Sequence, residues 1–176
     1  MSEEDPAALS KRLASLEARV RALEDQAAVL RLVCSWGPAV DSGDSEAASG
    51  LWDERGVLES DLSRLEGPAA VAAMVQSAGQ QALIRQGCAH VQTAPIVDIV
   101  GDDAVVTTYS QVFLHGEEAH EVWRVSANRW ECRRTPAGWR LTRRVNRVID
   151  GSSAPRELLA NALSGDASER RPGPPH

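Results

Sequence analysis

The chain has 176 residues, 43% of them hydrophobic and 25% charged, which supplies one compact core with tails and too little for two domains. With 19 basic against 25 acidic residues the net charge is −6, so no global attraction to nucleic acid or to an anionic membrane is expected, and any phosphate site would be local. No stretch reaches the roughly 18 uninterrupted apolar residues of a membrane span. The first 30 residues also lack the basic-then-apolar order of a secretory signal, and the expected location is cytoplasmic. Cys34, Cys88 and Cys132 are odd in number and widely spaced, with no CxxC, which argues against a disulfide framework or a zinc site and predicts reduced, mostly buried thiols.

Asp5-Pro6 reads as an N-cap followed by proline at the first helical position. Leu9, Leu13, Leu16, Val20, Leu23, Ala27, Leu30 and Cys34 then follow spacings of four and three alternately, so one face of a long helix is apolar from end to end. Such a stripe needs a partner. Its second half is expected to pack on the domain's own sheet, and its exposed first half to pair with a second subunit or to fold back. Gly37-Pro38 is expected to end or kink this helix, because proline lacks the amide donor. Asp44 looks like the N-cap of a short helix through Trp52, residues 56 to 62 like a short strand, and Gly67-Pro68 like the start of a helix to about Gly79 with Val71, Met74 and Val75 on one face.

From Ala94 onward β-branched runs alternate with turn signals: 95–100, 104–114, 121–134 and 139–149, separated by Gly101-Asp102, by His115-Gly116-Glu117-Glu118 and by Pro136-Ala137-Gly138. These predict a four-strand meander in a long, twisted antiparallel sheet, and with the helices gathered ahead of it the class is α+β. The organisation expected is an N-terminal tail over 1–8, one domain over 9–150, an extension over 151–163 with a short helix, and a disordered tail over 164–176, which is polar and proline-rich.

That order of elements resembles the cone-shaped α+β barrel of the nuclear-transport-factor-2-like (NTF2-like) superfamily, in particular its SnoaL-like branch. The segment from Leu16 to Asp25 resembles the leader helix of that branch. Trp36, Asp41 and Asp44 fall where it shows a tyrosine, an aspartate and a helix-capping aspartate. Gly67-Pro68-Ala69-Ala70-Val71 is similar to its helix-opening segment, His90 with Ala94-Pro95-Ile96 and Gly101-Asp102-Asp103-Ala104 to its histidine and following turns, and Gly138-Trp139-Arg140-Leu141 with Arg144 to its closing strand. The sequence departs from the pattern at Trp36, at Pro38, and at Cys132, where relatives carry an aspartate.

His90 and Asp41 are the candidate catalytic pair. Histidine can take a proton from carbon or oxygen and return it, and an aspartate against its other ring nitrogen fixes the tautomer and stabilises the imidazolium. Read alone, His90 also fits a strand-edge histidine bonded to a backbone carbonyl, and Asp41 an Asx turn closing a helix. The resemblance implies acid–base work by these two residues without a metal or an organic cofactor, as in cyclase, scytalone dehydratase-like and steroid isomerase-like relatives. A small-molecule pocket should be deep and apolar with few polar handles. Strand alternation puts Val122, Arg124, Ser126, Asn128, Trp130 and Cys132 on one face as the expected pocket wall, with Ser126 and Asn128 as hydrogen-bonding groups. Trp36, Trp52, Met74 and Tyr109 are further lining candidates, Ser110 standing on the face opposite Tyr109.

Residues 121 to 147 hold eight arginines and two glutamates, and a solvated outer sheet face is the expected reading, since no aromatic-interleaved basic motif suggests nucleic acid. No P-loop, dinucleotide fingerprint, HExxH or nucleophile elbow occurs. His115 and His120 lie at a hairpin end, out of register with His90 for a metal triad. Two functions stay open: a cofactor-independent lyase, isomerase or cyclase acting on a small hydrophobic carbonyl- or hydroxyl-bearing molecule, of polyketide or steroid type, or a non-catalytic cone that binds a ligand or another protein. A two-fold homodimer is expected through the outer sheet face and the leading half of the helix stripe, with neither nucleic acid nor membrane as partner.

Overall fold

In a computed structural model of the protein, residues 5–163 are described; residues 1–4 of the expected leading tail and the whole of the expected tail over 164–176 lie outside the described residues. Helix α1 (Pro6–Asp41) begins as the sequence suggests, Asp5 accepting a hydrogen bond from the Ala7 amide. Pro38 does not end it. A proline inside a helix removes the one amide that would donate to the carbonyl four residues back, and with Pro38 on the exposed side the helix runs on to Asp41.

The face of α1 that meets the domain is not the anticipated stripe. Val29, Leu32, Val33, Trp36 and Val40 are buried, whereas Ala27 and Cys34 are exposed and Leu30 is half-buried. Two apolar stripes overlap in this stretch, and the sheet takes the one with the larger branched and aromatic side chains. Leu9, Leu13, Leu16, Val20 and Leu23 stand in solvent.

Asp44 caps α2 (Ser45–Gly50) through the Ala47 amide. That helix stops short of Trp52, which instead opens β1 (Trp52–Glu59), so the first strand starts four residues ahead of its expected beginning at Gly56. After β2 (Arg64–Glu66), α3 (Gly67–Gln76) ends at Ser77, whose side chain accepts from the Gln80 amide and starts α4 (Ala78–Gln86). Neither α4 nor the strand after it, β3 (Cys88–Gln92), is foreseen from the sequence; α4 is short and amide-rich, with Gln80, Gln81 and Gln86 among its nine residues. The meander follows as read: β4 (Ile96–Val100), β5 (Asp103–His115), β6 (His120–Thr135) and β7 (Gly138–Val148), then α5 (Ser153–Asn161) packed against β6 and β7.

The strands form one curved, unclosed sheet in the order β2-β1-β7-β6-β5-β3, with β4 also paired to β5. The class is α+β as expected, and the sheet is mixed in one place, because β1 runs parallel to β7 while every other pair is antiparallel. The core lies between the sheet's concave face and the last third of α1 with α3. At its centre Trp36 meets Trp52 and Trp130 edge to face, with ring centroids 5.7 and 6.4 Å apart.

Asp25 is where α1 first grips the domain. Both of its carboxylate oxygens accept from the Arg134 guanidinium, at 2.5 and 2.6 Å, and Oδ1 also accepts from the Trp139 indole at 3.3 Å. The Arg134 hydrogen bond holds the Asp25 carboxyl below the ordinary carboxylate range, outweighing desolvation. A carboxyl that binds its proton more weakly folded than unfolded adds stability above its unfolded value of about 3.9, and that stability is lost as the pH falls below it. Asp25→Asn should therefore lower the Tm at pH 7 and flatten its decline below about pH 4. Thermal melts of wild type and variant across that range check this, and parallel pH profiles would contradict it.

Candidate active site

The helices and the sheet enclose a cavity of about 220 Å³. Trp36 and Val40 from α1, Leu58 from β1, Leu65 from β2 and Leu83 from α4 give it apolar walls, and His90, Gln80, Ser110, Arg124, Arg144 and Asn146 supply the polar groups. His90 arrives on β3, paired with Val112 of β5, and Asp41 arrives as the last residue of α1. The two meet tightly. Asp41 Oδ2 accepts from the His90 backbone amide at 2.6 Å, while Oδ1 lies 2.5 Å from His90 Nδ1. With Nδ1 and the main chain both held by one carboxylate, Nε2 is the ring nitrogen left for the cavity.

That approach is possible because residue 37 is glycine. A Cβ built on Gly37 would lie 2.1 Å from the His90 carbonyl oxygen, so α1 and β3 touch backbone to backbone one turn before Asp41. The Gly37-Pro38 pair that reads as a helix terminator is in fact a contact point inside the helix.

Cys88 completes the cluster, its Sγ 3.4 Å from Asp41 Oδ1. Burial, and then the charge of Asp41, push the thiol up to about 11, so near neutral pH it is a protonated donor and not a thiolate nucleophile. One ligand atom from each of Asp41, Cys88 and His90 lie within 4.8 Å of one another, the spacing of a shared cation. A protonated thiol is a poor ligand, and the carboxylate is already taken up by the hydrogen bonds described.

Opposite His90, the polar groups form a connected network. Asn128 is fully buried; its Oδ1 accepts from Arg144 Nε and Nη2 at 3.0 and 2.8 Å and from Asn146 Nδ2 at 2.8 Å, and its Nδ2 donates to Ser110 Oγ at 2.8 Å. Arg124 donates to Asn146 Oδ1 at 2.8 Å and to Ser126 Oγ at 3.0 Å. Arg144 lies over the rings of Trp130 and Trp36, 4.2 and 5.3 Å from their centroids. Burial, reinforced by the nearby charge of Arg124, pushes its guanidinium down to about 9, so it still carries its charge at pH 7. Among the described residues no carboxylate pairs with it. Gln80, nine-tenths buried, likewise has no hydrogen-bond partner for Nε2 among the described residues.

The expected site residues thus separate into groups. Trp36, Met74 and His90 line the cavity, with Asp41 directly behind His90. Ser126, Asn128 and Trp130 lie one layer deeper, where Asn128 holds Arg144 and Trp130 Nε1 donates to Thr108 Oγ1 at 3.1 Å. Trp52 packs in the core away from the cavity lining, and Tyr109 is 44% exposed on the other face of β5, where Ser110 is the inward residue. The strand alternation predicted for β6 fails at one end, because Trp123 is an extra residue between the pairs Val112↔Arg124 and Phe113↔Val122. Trp123 therefore reaches the cavity and Val122 points out. The solvated-face reading of the arginines fails at Arg124 and Arg144; the signal for Arg144 in the sequence is polar Arg144 and Asn146, two apart on the closing strand, set across from Asn128.

Comparison with known proteins agrees with this architecture. The profile of the SnoaL-like domain matches residues 21–145. An NTF2-like protein with a cystatin-like fold from Novosphingobium aromaticivorans is 41% identical, with a TM-score of 0.79 over 90% of this chain and 99% of its own. A hexachlorocyclohexane dehydrochlorinase from Novosphingobium barchaimii shares the fold at 15% identity and a TM-score of 0.64, over 74% of this chain and 90% of its own. A Mycobacterium tuberculosis protein of unknown function shares it at 18% and 0.63, over 97% and 98%. No curated protein matches the sequence. The architecture is that of the NTF2-like proteins. Within them, this chain belongs to the SnoaL-like domain family.

The Gly37 contact makes a prediction with an unusual sign. In an unobstructed helix interior Gly→Ala stabilises by about 0.5–1 kcal/mol. Gly37→Ala should instead destabilise by about 1–3 kcal/mol, as overpacking does, because the methyl group meets the β3 main chain. Denaturant unfolding checks this, and a gain in stability would refute the close approach.

Proposed function

We propose that the protein is a cofactor-independent acid–base enzyme of the lyase or isomerase type, acting on a small, mostly apolar molecule that carries a carbonyl or hydroxyl group. The observation that carries this reading is the Asp41-held His90 at a cavity whose far wall presents a buried arginine with no carboxylate partner among the described residues. His90 Nε2 takes a proton from a carbon next to a carbonyl. Asp41 stabilises the resulting imidazolium and keeps the ring from turning, and the carbonyl oxygen gains negative charge as the proton leaves. Arg144, held by its bonds to Asn128, is a donor already fixed in a low-dielectric wall, so it stabilises that oxyanion without reorganising, and the unpartnered Gln80 amide is a second donor for it.

The imidazolium then returns its proton. Delivery to a different carbon is an isomerisation, and delivery to a departing hydroxyl is a dehydration. If the carbanion attacks a second carbonyl within the same molecule, the result is ring closure. The apolar walls favour a compact keto or hydroxylated ring system, or a folded polyketide-like chain, over a sugar or a nucleotide. The dehydrochlorinase among the structural neighbours supports a fold that is compatible with such chemistry.

The test is turnover of purified wild type, His90→Asn and Asp41→Asn on substrates found by screening keto and hydroxylated polycyclic and polyketide-like compounds. His90→Asn should lose at least about 100- to 10,000-fold, and Asp41→Asn a smaller but large factor, because it misorients the base without removing it. Full activity in His90→Asn would reject the reading, and ligand binding without turnover in the wild type would show a binding protein instead.

Arg144 gives an independent check. Arg144→Met should cut turnover by roughly 100- to 1,000-fold, yet leave the Tm unchanged or raised, because it removes a desolvated charge that has no counter-ion among the described residues. Measuring the two together distinguishes a functional arginine from a structural one, for which both would fall.

A further inference from the structure

The leading part of α1 poses a separate problem. Residues 6–24 are exposed throughout, a rod of roughly 28 Å at 1.5 Å per residue, and an isolated helix of that length is marginal in water unless one face is buried. The face in question is a strict seven-residue repeat. Leu9, Leu16, Leu23 and Leu30 occupy one core position, and Leu13, Val20, Ala27 and Cys34 the other, in the order called d and a in a coiled coil. The first five of these residues along the chain are 45–65% exposed.

The charges beside the seam say what covers it. Arg12 and Arg19 stand just before the a residues Leu13 and Val20, at g, and Glu17 and Glu24 just after the d residues Leu16 and Leu23, at e. In a parallel, in-register pair each g residue meets the e residue five positions on in the other helix. Arg12 of one copy then meets Glu17 of the other, and Arg19 meets Glu24, each twice by symmetry. In an antiparallel pair g would face g and e would face e, setting arginine on arginine and glutamate on glutamate.

The seam also points away from the domain. At 100° per residue, the direction of Leu23, Ala27, Leu30 and Cys34 lies roughly 150° around the helix from that of Asp25, Val29, Leu32, Val33 and Trp36, the residues that grip the sheet and its hairpin. One helix can therefore serve its own domain and a partner helix together. Ala27 and Cys34 are the small seam residues, and they fall where two domains flanking the coil would need the helices closest.

We propose that α1 forms a parallel, two-stranded coiled coil with a second copy of this chain, pairing over about residues 9–34 and holding the two α+β domains side by side at the same end. The reading is independent of the chemistry assigned to the cavity.

The experiment uses the full chain. Sedimentation equilibrium should show a dimer. Leu16→Asp with Leu23→Asp, both solvent-exposed within the protomer, should raise the dimer dissociation constant by at least roughly 100-fold while the domain keeps its sheet signal by circular dichroism. Arg12→Glu with Arg19→Glu, and Glu17→Arg with Glu24→Arg, should each weaken self-association, and mixing the two variants should restore a heterodimer. Mild oxidation with diamide should link the wild type through Cys34, and Cys34→Ser should stay unlinked. A wild-type monomer at tens of micromolar would overturn the proposal, and so would a dimer that survives the two leucine substitutions. Failure of the charge-swapped variants to pair, or of Cys34 to cross-link in an intact dimer, would overturn the parallel register.

Discussion

The close contact between α1 and β3 at Gly37 is the constraint on which the site depends. Because residue 37 has no side chain, the helix backbone lies directly against the His90 carbonyl, and Asp41, one turn further along, is brought within reach of both the main chain and the ring of the same histidine. Two hydrogen bonds to one carboxylate leave the imidazole little freedom to turn. A side chain of any size at position 37 would push the strand away and open both bonds together. The helix accepts Pro38 beside this contact with the ring facing outward, at the cost of the lost amide bond and of the ring's crowding against the carbonyl four residues back.

The remaining polar groups of the cavity follow from the opposite wall. Asn128 is the hub: one buried amide accepts from Arg144 and Asn146 and donates to Ser110, so every polar atom of that side chain is satisfied. This leaves a guanidinium held by neutral acceptors and two tryptophan faces. A buried cation with no counter-ion among the described residues lowers stability; under the proposed function the missing negative charge is supplied by what enters the cavity. Preorganised donors of that kind are worth most when charge develops during the reaction, because nothing has to move to meet it.

Much of this was legible in the sequence wherever local rules decide the outcome. The caps at Asp5 and Asp44 and the four strands of the meander follow from residue types and spacing, and the α+β class follows from their order. What local rules miss is structure set by tertiary contact. Gly37-Pro38 has the composition of a helix stop, and only the presence of β3 shows why glycine is there. The bulge at Trp123 reverses the alternation beyond it, so a pattern of period two cannot place Val122 and Trp123 correctly. Strand β3 is too short and too mixed to announce itself, although the histidine it carries stood out. Arg144 was hidden among seven other arginines, since burial of one charged residue in a basic strand leaves no trace in composition. The seven-residue repeat of α1 was visible in the sequence, and only the exposure of that face separates it from the stripe that packs on the sheet.

The central claim is that Asp41 fixes His90 with its Nε2 lone pair turned to the cavity. Nitrogen-15 NMR of the histidine ring measures this directly, because the protonated and unprotonated ring nitrogens differ widely in chemical shift and each is identified by its coupling to the ring protons. At a pH where the ring is neutral, the account predicts that His90 carries its proton on Nδ1, donated to Asp41, and that Asp41→Asn disturbs this preference. A neutral His90 protonated at Nε2, or an equal mixture of the two tautomers in the wild type, would contradict it.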